Sequence, residues 1–547
     1  MAKFAHKAST GRIALVIVGL LSLLGGAVVV YSTAPGPWGY SDSVAYIVSA
    51  RNLLKGIGLG YYYPSGQFYI QTHYPPFYPL MLAGIGLLRV DLVIAARWLS
   101  ILLFVATLFC AGWIFLRYST SSWLSILASV LIGIFPTTLK MFSSAMSEPL
   151  FVFLFILSGF SLVRYFRYNN SRWLIVAALL TGLLPLTRYI GIANVGAAAV
   201  CVLLFSSGRW KVRFGKAALF GLIASLPILL WVIWVYFSVD RSLAGRGFGV
   251  NGAMLSTSFM EFRAAFLNTI WLWLPFGKYL IPIRSRLRIL SLILAAIGIV
   301  IATLLAERHV RRRNLQPASS GNLQVFSVFS LSSLAYVTAL ALTYLFTRPT
   351  PDVDNRMLLP LYAGVVMSML AAVSSWENAW LRERRRWLRV IPWLVAAVFV
   401  YWHSSDAIWL VKYYHQGWGN TLYSWKNSET IQAVQNLPAD VPVISDNAAL
   451  LLLWADRPAY EMLDSLPPDF VDQTGPYGAD ESDQAQVVFR RQGAALVLFK
   501  GHSSNRPISG RIAGDYGEKG LARLRTLVAG LILCGDYADG SIYFYAK

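Results

Sequence analysis

Residues 173–205 read WLIVAALLTGLLPLTRYIGIANVGAAAVCVLLF, and the number of times they cross a bilayer decides how everything after them is arranged. The run is too long for one ordinary membrane helix, which needs about 20 apolar residues. Pro185 and Arg188 interrupt it, and basic links flank it: Arg164, Arg167 and Arg172 before, Arg209, Lys211, Arg213 and Lys216 after. Two short helices meeting at Pro185–Tyr189 leave both basic links on one side, with Arg188 at the outer turn between them. A single tilted helix would bury Arg188 and flip every later loop, and the basic run at 382–389 opposes that.

The rest of the chain follows from this hairpin. Of 547 residues, 56% are apolar and 13% charged, so a single water-soluble core cannot hide the hydrophobic surface. Eleven apolar runs read as membrane spans: 13–31, 92–116, 123–139, 149–163, 173–186, 190–205, 217–239, 287–305, 325–346, 357–373 and 390–410. Lys and Arg gather in alternate links, which places the amino terminus in the cytoplasm and the carboxyl terminus outside it. The net charge of +21 is thereby accounted for by topology, and nucleic acid is not indicated as a partner. Cys110, Cys201 and Cys534 are too scattered for a disulfide framework or a zinc site. The first run has basic flanks but no small-residue cleavage site, so it reads as a retained span. With no organelle address, the expected location is a prokaryotic plasma (inner) membrane.

Two parts emerge, a transmembrane module over 1–410 and an extracytoplasmic soluble α/β domain over 411–547. Within the first, residues 32–91 form a large outer loop and residues 240–286 a second, whose TIWLWLPFGKYL segment suits the headgroup zone. In the tail, VPVISDNAALLLLW, AALVLFK and GSIYFYAK read as strands and helices.

No GxxxxGK[ST], HExxH or CxxC occurs, and the Gly56, Gly58, Gly60 string reads as a turn rather than a dinucleotide fingerprint. The chemistry therefore rests on charged residues beside the spans. Asp42, in SDS, fits either a helix cap or a catalytic acid. Glu148, in MSEPLF, fits a helix start with Pro149 behind it, or a second acid that positions a hydroxyl, takes its proton or holds a divalent cation. Asp42 and Glu148 are thus also the candidate metal ligands, with no cofactor certain. Arg188 and Arg356 border apolar spans, where a charge carried to the bilayer centre costs roughly 2.5–3.5 kcal/mol. They fit pairs with Asp352, Asp354 or Glu148, or contacts to a lipid-linked phosphate. Lys140 and His73 are further candidate phosphate contacts. Asp352-Val353-Asp354 spells DxD but lies in a short loop, where a solvated turn or an arginine partner fits better.

Taken in order, SDSVAYIVSARNLLKGIGL, HYPPFYPLMLAGI, SEPLFVFLFIL, LTRYIG and DNRMLLPLYAG resemble the GT-C glycosyltransferases. The branch they look most like is the protein O-mannosyltransferase and aminoarabinose-transferase-like superfamily, over about residues 13–373. The resemblance implies a sugar donor on a polyprenyl phosphate, a lipid, glycan or protein acceptor, transfer on the outer face, and inversion. It carries Asp42 over as the first-loop acid, acting as base or acceptor-positioning group, and Glu148 as the second acid. Arg188 and Arg356 match the arginines of similar segments. Many relatives have two adjacent acids in the first loop, whereas Ser41 and Ser43 flank a single Asp here, which bears on both the metal and the base assignments. A non-enzymatic lipid or sugar transporter and a transferase using a diphosphate-linked donor are the alternatives.

Overall fold

The computed structural model describes residues 2–64, 66–119, 121–238, 247–248, 252–280, 294, 297–301, 303–305, 319–348, 353–379, 390–461, 494–500 and 531–545. Most of the expected span 287–305, the basic runs at 308–313 and 382–389, and Asp352 lie outside them. The chain divides into two compact units: Met1–Tyr31, Ser100–Phe142 and Ser147–Lys412 form one, while Ser32–Leu99, Ser143–Met146 and Tyr413–Lys547 form the other.

Seven helices of the described residues are long and apolar enough to cross a membrane, against the eleven spans expected. They are Thr10–Ser32, Leu92–Tyr118, Glu148–Tyr168, Trp210–Ser238, Gly321–Phe346, Leu359–Glu377 and Pro392–His415. An eighth crossing exists if Trp123–Ile134 and Pro136–Phe142, bent by 69°, count as one. The bend has a local cause. Phe135 is extended (φ −66, ψ 123), as a residue before proline prefers, so the helix stops and restarts.

The stretch 173–205 resolves into helices Ser171–Thr187 and Ile192–Phe205, each short of a full span, with the 3₁₀ turn Tyr189–Gly191 between them. They form a hairpin whose ends return to one place. Tyr165 OH lies 2.9 Å from Ser206 Oγ, and Ser207 Oγ donates to Asn169 Oδ1 at 2.6 Å, so the exit of the second helix meets the entry to the first. Close approach of a third helix depends on Gly182, since a Cβ there would stand 2.7 Å from the carbonyl oxygen of Ala224 in Trp210–Ser238. Small residues at such crossings let membrane helices pack by van der Waals contact where no hydrophobic effect drives them together. On the exposed side of that third helix, Leu222 and Phe237 point outward as a lipid-facing surface would.

In the other unit, helix Ser41–Leu54 and hairpin Gly60–Tyr62/Phe68–Ile70 are built from the stretch expected to form the first large loop. The glycine string stops the helix: Gly56 and Gly58 take φ +74 and +136, and Ile57 N–H returns to Asn52 O at 3.0 Å. Ahead of the helix, residues 35–40 (PGPWGY) are crossed by residues 419–422. Trp38 and Gly39 bridge to Ser144 and Gly419, Thr421 Oγ1 donates to Pro37 O, and a Cβ on Gly36 (φ +131) would meet Thr421 O at 2.6 Å. Glycine is required at that crossing on both counts.

Residues Val443–Ser445, Tyr460–Glu461, Ala495–Phe499, Leu531–Asp536 and Gly540–Tyr545 form a mixed five-stranded sheet in this same unit. Val443–Ser445 is parallel to Tyr460–Glu461 and to Ala495–Phe499, and the last three strands are antiparallel. Its core is Leu422, Trp425, Ile431, Val434, Leu450, Leu451, Val497 and Phe499, all nearly or fully buried. Helix Ser41–Leu54 is fastened to helix Ala448–Trp454 through Arg51, whose Nη2 donates to Leu453 O at 2.8 Å. Lys55 adds a contact of 2.6 Å with Asp456.

Candidate active site

Glu148 is the first residue of helix Glu148–Tyr168, followed by Pro149, and is 1% exposed. Proline is pre-organised for the first helical turn, and a carboxylate there meets the positive end of the helix dipole. Both arginines reach it: Arg188 Nη1 and Arg356 Nε each donate to Glu148 Oε1. Of the partners weighed from sequence, Glu148 is the one both arginines take. A cluster of two guanidiniums and one carboxylate carries a net charge of +1.

The arginines are held by what surrounds them. Arg188 caps the end of helix Ser171–Thr187 with extended backbone (φ −149, ψ 128), and its Nη2 lies 2.8 Å from Met357 Sδ. The loop carrying Arg356 is tied at successive residues. Asp354 Oδ1 accepts from Met357 N–H at 2.9 Å, Trp273 Nε1 donates to Asn355 Oδ1 at 2.9 Å, and Tyr336 OH donates to Met357 O at 2.7 Å. Asp354 thus serves as a local turn acceptor, and its DxD partner Asp352 lies outside the described residues. Trp273 is fixed in turn, by His403 Nε2 at 3.1 Å from its carbonyl oxygen and by the stacked pair Phe135–Tyr362.

Asp42 and His73 occur in the other unit. Helix Ser41–Leu54 is capped by Ser43, whose Oγ accepts from Tyr40 N–H at 3.0 Å, while Asp42 Oδ1 accepts a 2.5 Å hydrogen bond from Tyr74 OH. Tyr74 packs on Tyr46, which packs on Tyr78, and the exposed His73 ring meets Tyr74 edge-on at 4.6 Å. Lys140 is half-buried on the short helix Pro136–Phe142.

As seats for a divalent cation these groups fit poorly. Among the described residues no three His, Cys, Asp or Glu side chains gather as metal ligands, and Glu148 Oε1 is occupied by two cations that would repel a third.

Sequence reading passed over Tyr74, Trp273, Asn355, Met357 and Tyr336. Tyr74 had a signal, its place beside His73 in a polar aromatic loop. Tyr336 had none, because LSSLAYVTAL reads as one more apolar run.

No protein-family model and no curated protein sequence matches the chain. Among solved structures it resembles ArnT from Cupriavidus metallidurans bound to undecaprenyl phosphate, at 12% identity over 96% of this chain and 98% of that one, with a TM-score of 0.52. An Archaeoglobus fulgidus oligosaccharyltransferase tethered with an acceptor peptide aligns at 11% identity over 98% of this chain and 74% of that one, with a TM-score of 0.48. The likeness to ArnT is one of fold, and with the apolar helices it identifies the chain as a multi-pass membrane protein of the GT-C fold.

Proposed function

We propose that the protein is a membrane glycosyltransferase that moves a sugar from a polyprenyl-phosphate donor to a lipid, glycan or protein acceptor on the outer face of the plasma membrane, with inversion at the anomeric carbon. The observation that carries this reading is the pair of arginines gathered on Glu148 at the end of a membrane helix. Two guanidiniums sharing one carboxylate keep a net positive charge for an anionic headgroup, and they are fixed before any ligand arrives. ArnT, whose fold this chain shares, was crystallised with undecaprenyl phosphate.

In the proposed reaction the acceptor hydroxyl oxygen attacks the anomeric carbon and the carbon–oxygen bond to phosphate breaks. Polyprenyl phosphate leaves with the electron pair. Asp42 receives the hydroxyl proton, held in orientation by Tyr74, and such acid–base help is worth about 10²- to 10⁴-fold. Arg188 and Arg356 offset the charge that grows on the phosphate, with Lys140 and His73 as further phosphate contacts. Glu148 positions the two arginines; with Oε1 engaged by both, orientation suits it better than proton transfer.

The test is a transfer assay with defined polyprenyl-phosphate sugars on protein in nanodiscs, with products read by mass spectrometry. Transfer by the wild type and its loss in Asp42→Asn, with folding intact, is the expected result. Unchanged transfer in that variant removes Asp42 from the base role. Movement of the lipid or sugar across the membrane with no covalent product overturns the enzyme reading.

A further inference from the structure

The far end of helix Glu148–Tyr168 carries a second cationic surface that the proposed reaction does not use. Two helix-connecting segments meet there, residues 164–173 (RYFRYNNSRW) and 206–216 (SSGRWKVRFGK), each a short link with the helix ends beside it, and neither contains Asp or Glu. Asn169, in the left-handed conformation (φ 47), joins them: its Oδ1 accepts from Ser207 Oγ at 2.6 Å and from Lys216 Nζ at 3.4 Å. Apart from Arg164 and Arg167, the cations divide into two sets. Arg213 and Lys216 are turned inward, with Arg213 Nε donating to Gly208 O at 2.8 Å and Lys216 Nζ to Ser207 O at 3.3 Å. Arg172, Arg209 and Lys211 are exposed, and none is among the ion pairs of the described residues.

Beside these free cations stand exposed rings. Trp210 and Phe214 are one turn apart on helix Trp210–Ser238, so they share a stripe, and they are 61% and 62% exposed. Arg209 precedes Trp210, and Lys211 follows it. The Trp173 ring lies 4.3 Å from the guanidinium of Arg164 in a cation–π contact. Rings that prefer the headgroup zone, set among unpaired cations at the end of adjacent membrane helices, match the chemistry of a negatively charged lipid surface.

We propose that this surface binds the phosphate headgroups of anionic phospholipids in the leaflet it faces, through Arg172, Arg209 and Lys211, with Trp210 and Phe214 seated among the adjacent acyl chains. Topology alone would account for the number of cations but would give no preference for one phospholipid over another. Each cation near an anionic leaflet contributes about fivefold to binding.

The experiment is native mass spectrometry of the full chain released from nanodiscs of equal phosphatidylglycerol and phosphatidylcholine. The wild type is expected to retain phosphatidylglycerol preferentially, and Arg172→Gln/Arg209→Gln/Lys211→Gln to lose at least tenfold of that preference. Arg89→Gln/Lys426→Gln/Lys500→Gln removes the same charge elsewhere and is expected to leave it intact. Arg209→Gln alone, an exposed single change, is expected to lower it two- to fivefold if the triple variant does not fold. No preference in the wild type, or equal loss in the control triple, overturns the proposal.

Discussion

The hydrogen bond from Tyr74 to Asp42 is the contact at residue scale on which the proposed chemistry most depends. Hydrogen bonds to charged groups contribute about 1.5–3 kcal/mol, so losing one that fixes a base costs rate more than affinity. Tyr74→Phe is expected to lower kcat about tenfold and leave the donor KM unchanged, as read in steady-state transfer assays. Asp42 was legible in sequence because a lone acid in an aromatic loop beside a span stands out, and Glu148, Arg188 and Arg356 because charges bordering apolar runs are costly without a purpose. That the arginines would meet on Glu148 was one of several pairings the sequence left open. The pairing is made by chain segments 208 residues apart, from Glu148 to Arg356, and no local pattern encodes it.

Arg356 belongs to a loop, and its place is set by the elements around that loop. The Trp273 indole reaches it from helix Gly252–Trp273, and Tyr336 from helix Ser319–Phe346. Trp273→Phe keeps an aromatic ring, though a smaller one, and removes the N–H, so Asn355 loses its donor and Arg356 its fixed position. A neutral hydrogen bond contributes about 1 kcal/mol, and the expected outcome is roughly a fivefold rise in donor KM with kcat little changed. The packing of the 171–205 hairpin makes a separate prediction. Leu at position 182 would drive a side chain into the Ala224 carbonyl 2.7 Å away, and overpacking of this kind costs about 1–3 kcal/mol. Gly182→Leu should therefore unfold at a lower temperature than wild type in the same detergent. The hairpin itself was legible, because Pro185 and the two flanking basic links constrain it. The 69° bend before Pro136 was not, since residues 123–139 read as one continuous apolar run.

For the molecule as a whole, the unit that contains the five-stranded sheet holds carboxylates whose titration reports on its integrity. Burial alone would raise the Asp456 carboxyl, but hydrogen bonds from Lys55 and Arg51, with their charges, hold it below its usual 3.8. Asp539 is likewise pulled down against burial, by Ser428 and Thr430. A depressed carboxyl contributes stability that is present above its ordinary pKa and is lost as pH falls through its lower folded value. Pepsin cleavage between residues 411 and 461 should therefore rise as pH falls below about 4. Asp456→Asn/Asp539→Asn should be cleaved at a similar rate across that window. The membership of this unit was not legible in the sequence. Its strands carry period-two and apolar signals, but the crossing of residues 35–40 by 419–422 is a backbone contact marked only by glycines that also read as ordinary turns.

The hydrogen bond from Arg51 to Leu453 also sets an order of events during synthesis. The helix bearing Asp42 leaves the ribosome early, yet the acceptor for its Arg51 side chain, Leu453 O, is translated 402 residues later. At about 5–20 residues per second the interval is on the order of tens of seconds. Throughout it the first loop lacks that contact, so the proposed base acquires its final surroundings only once about five-sixths of the chain has been made.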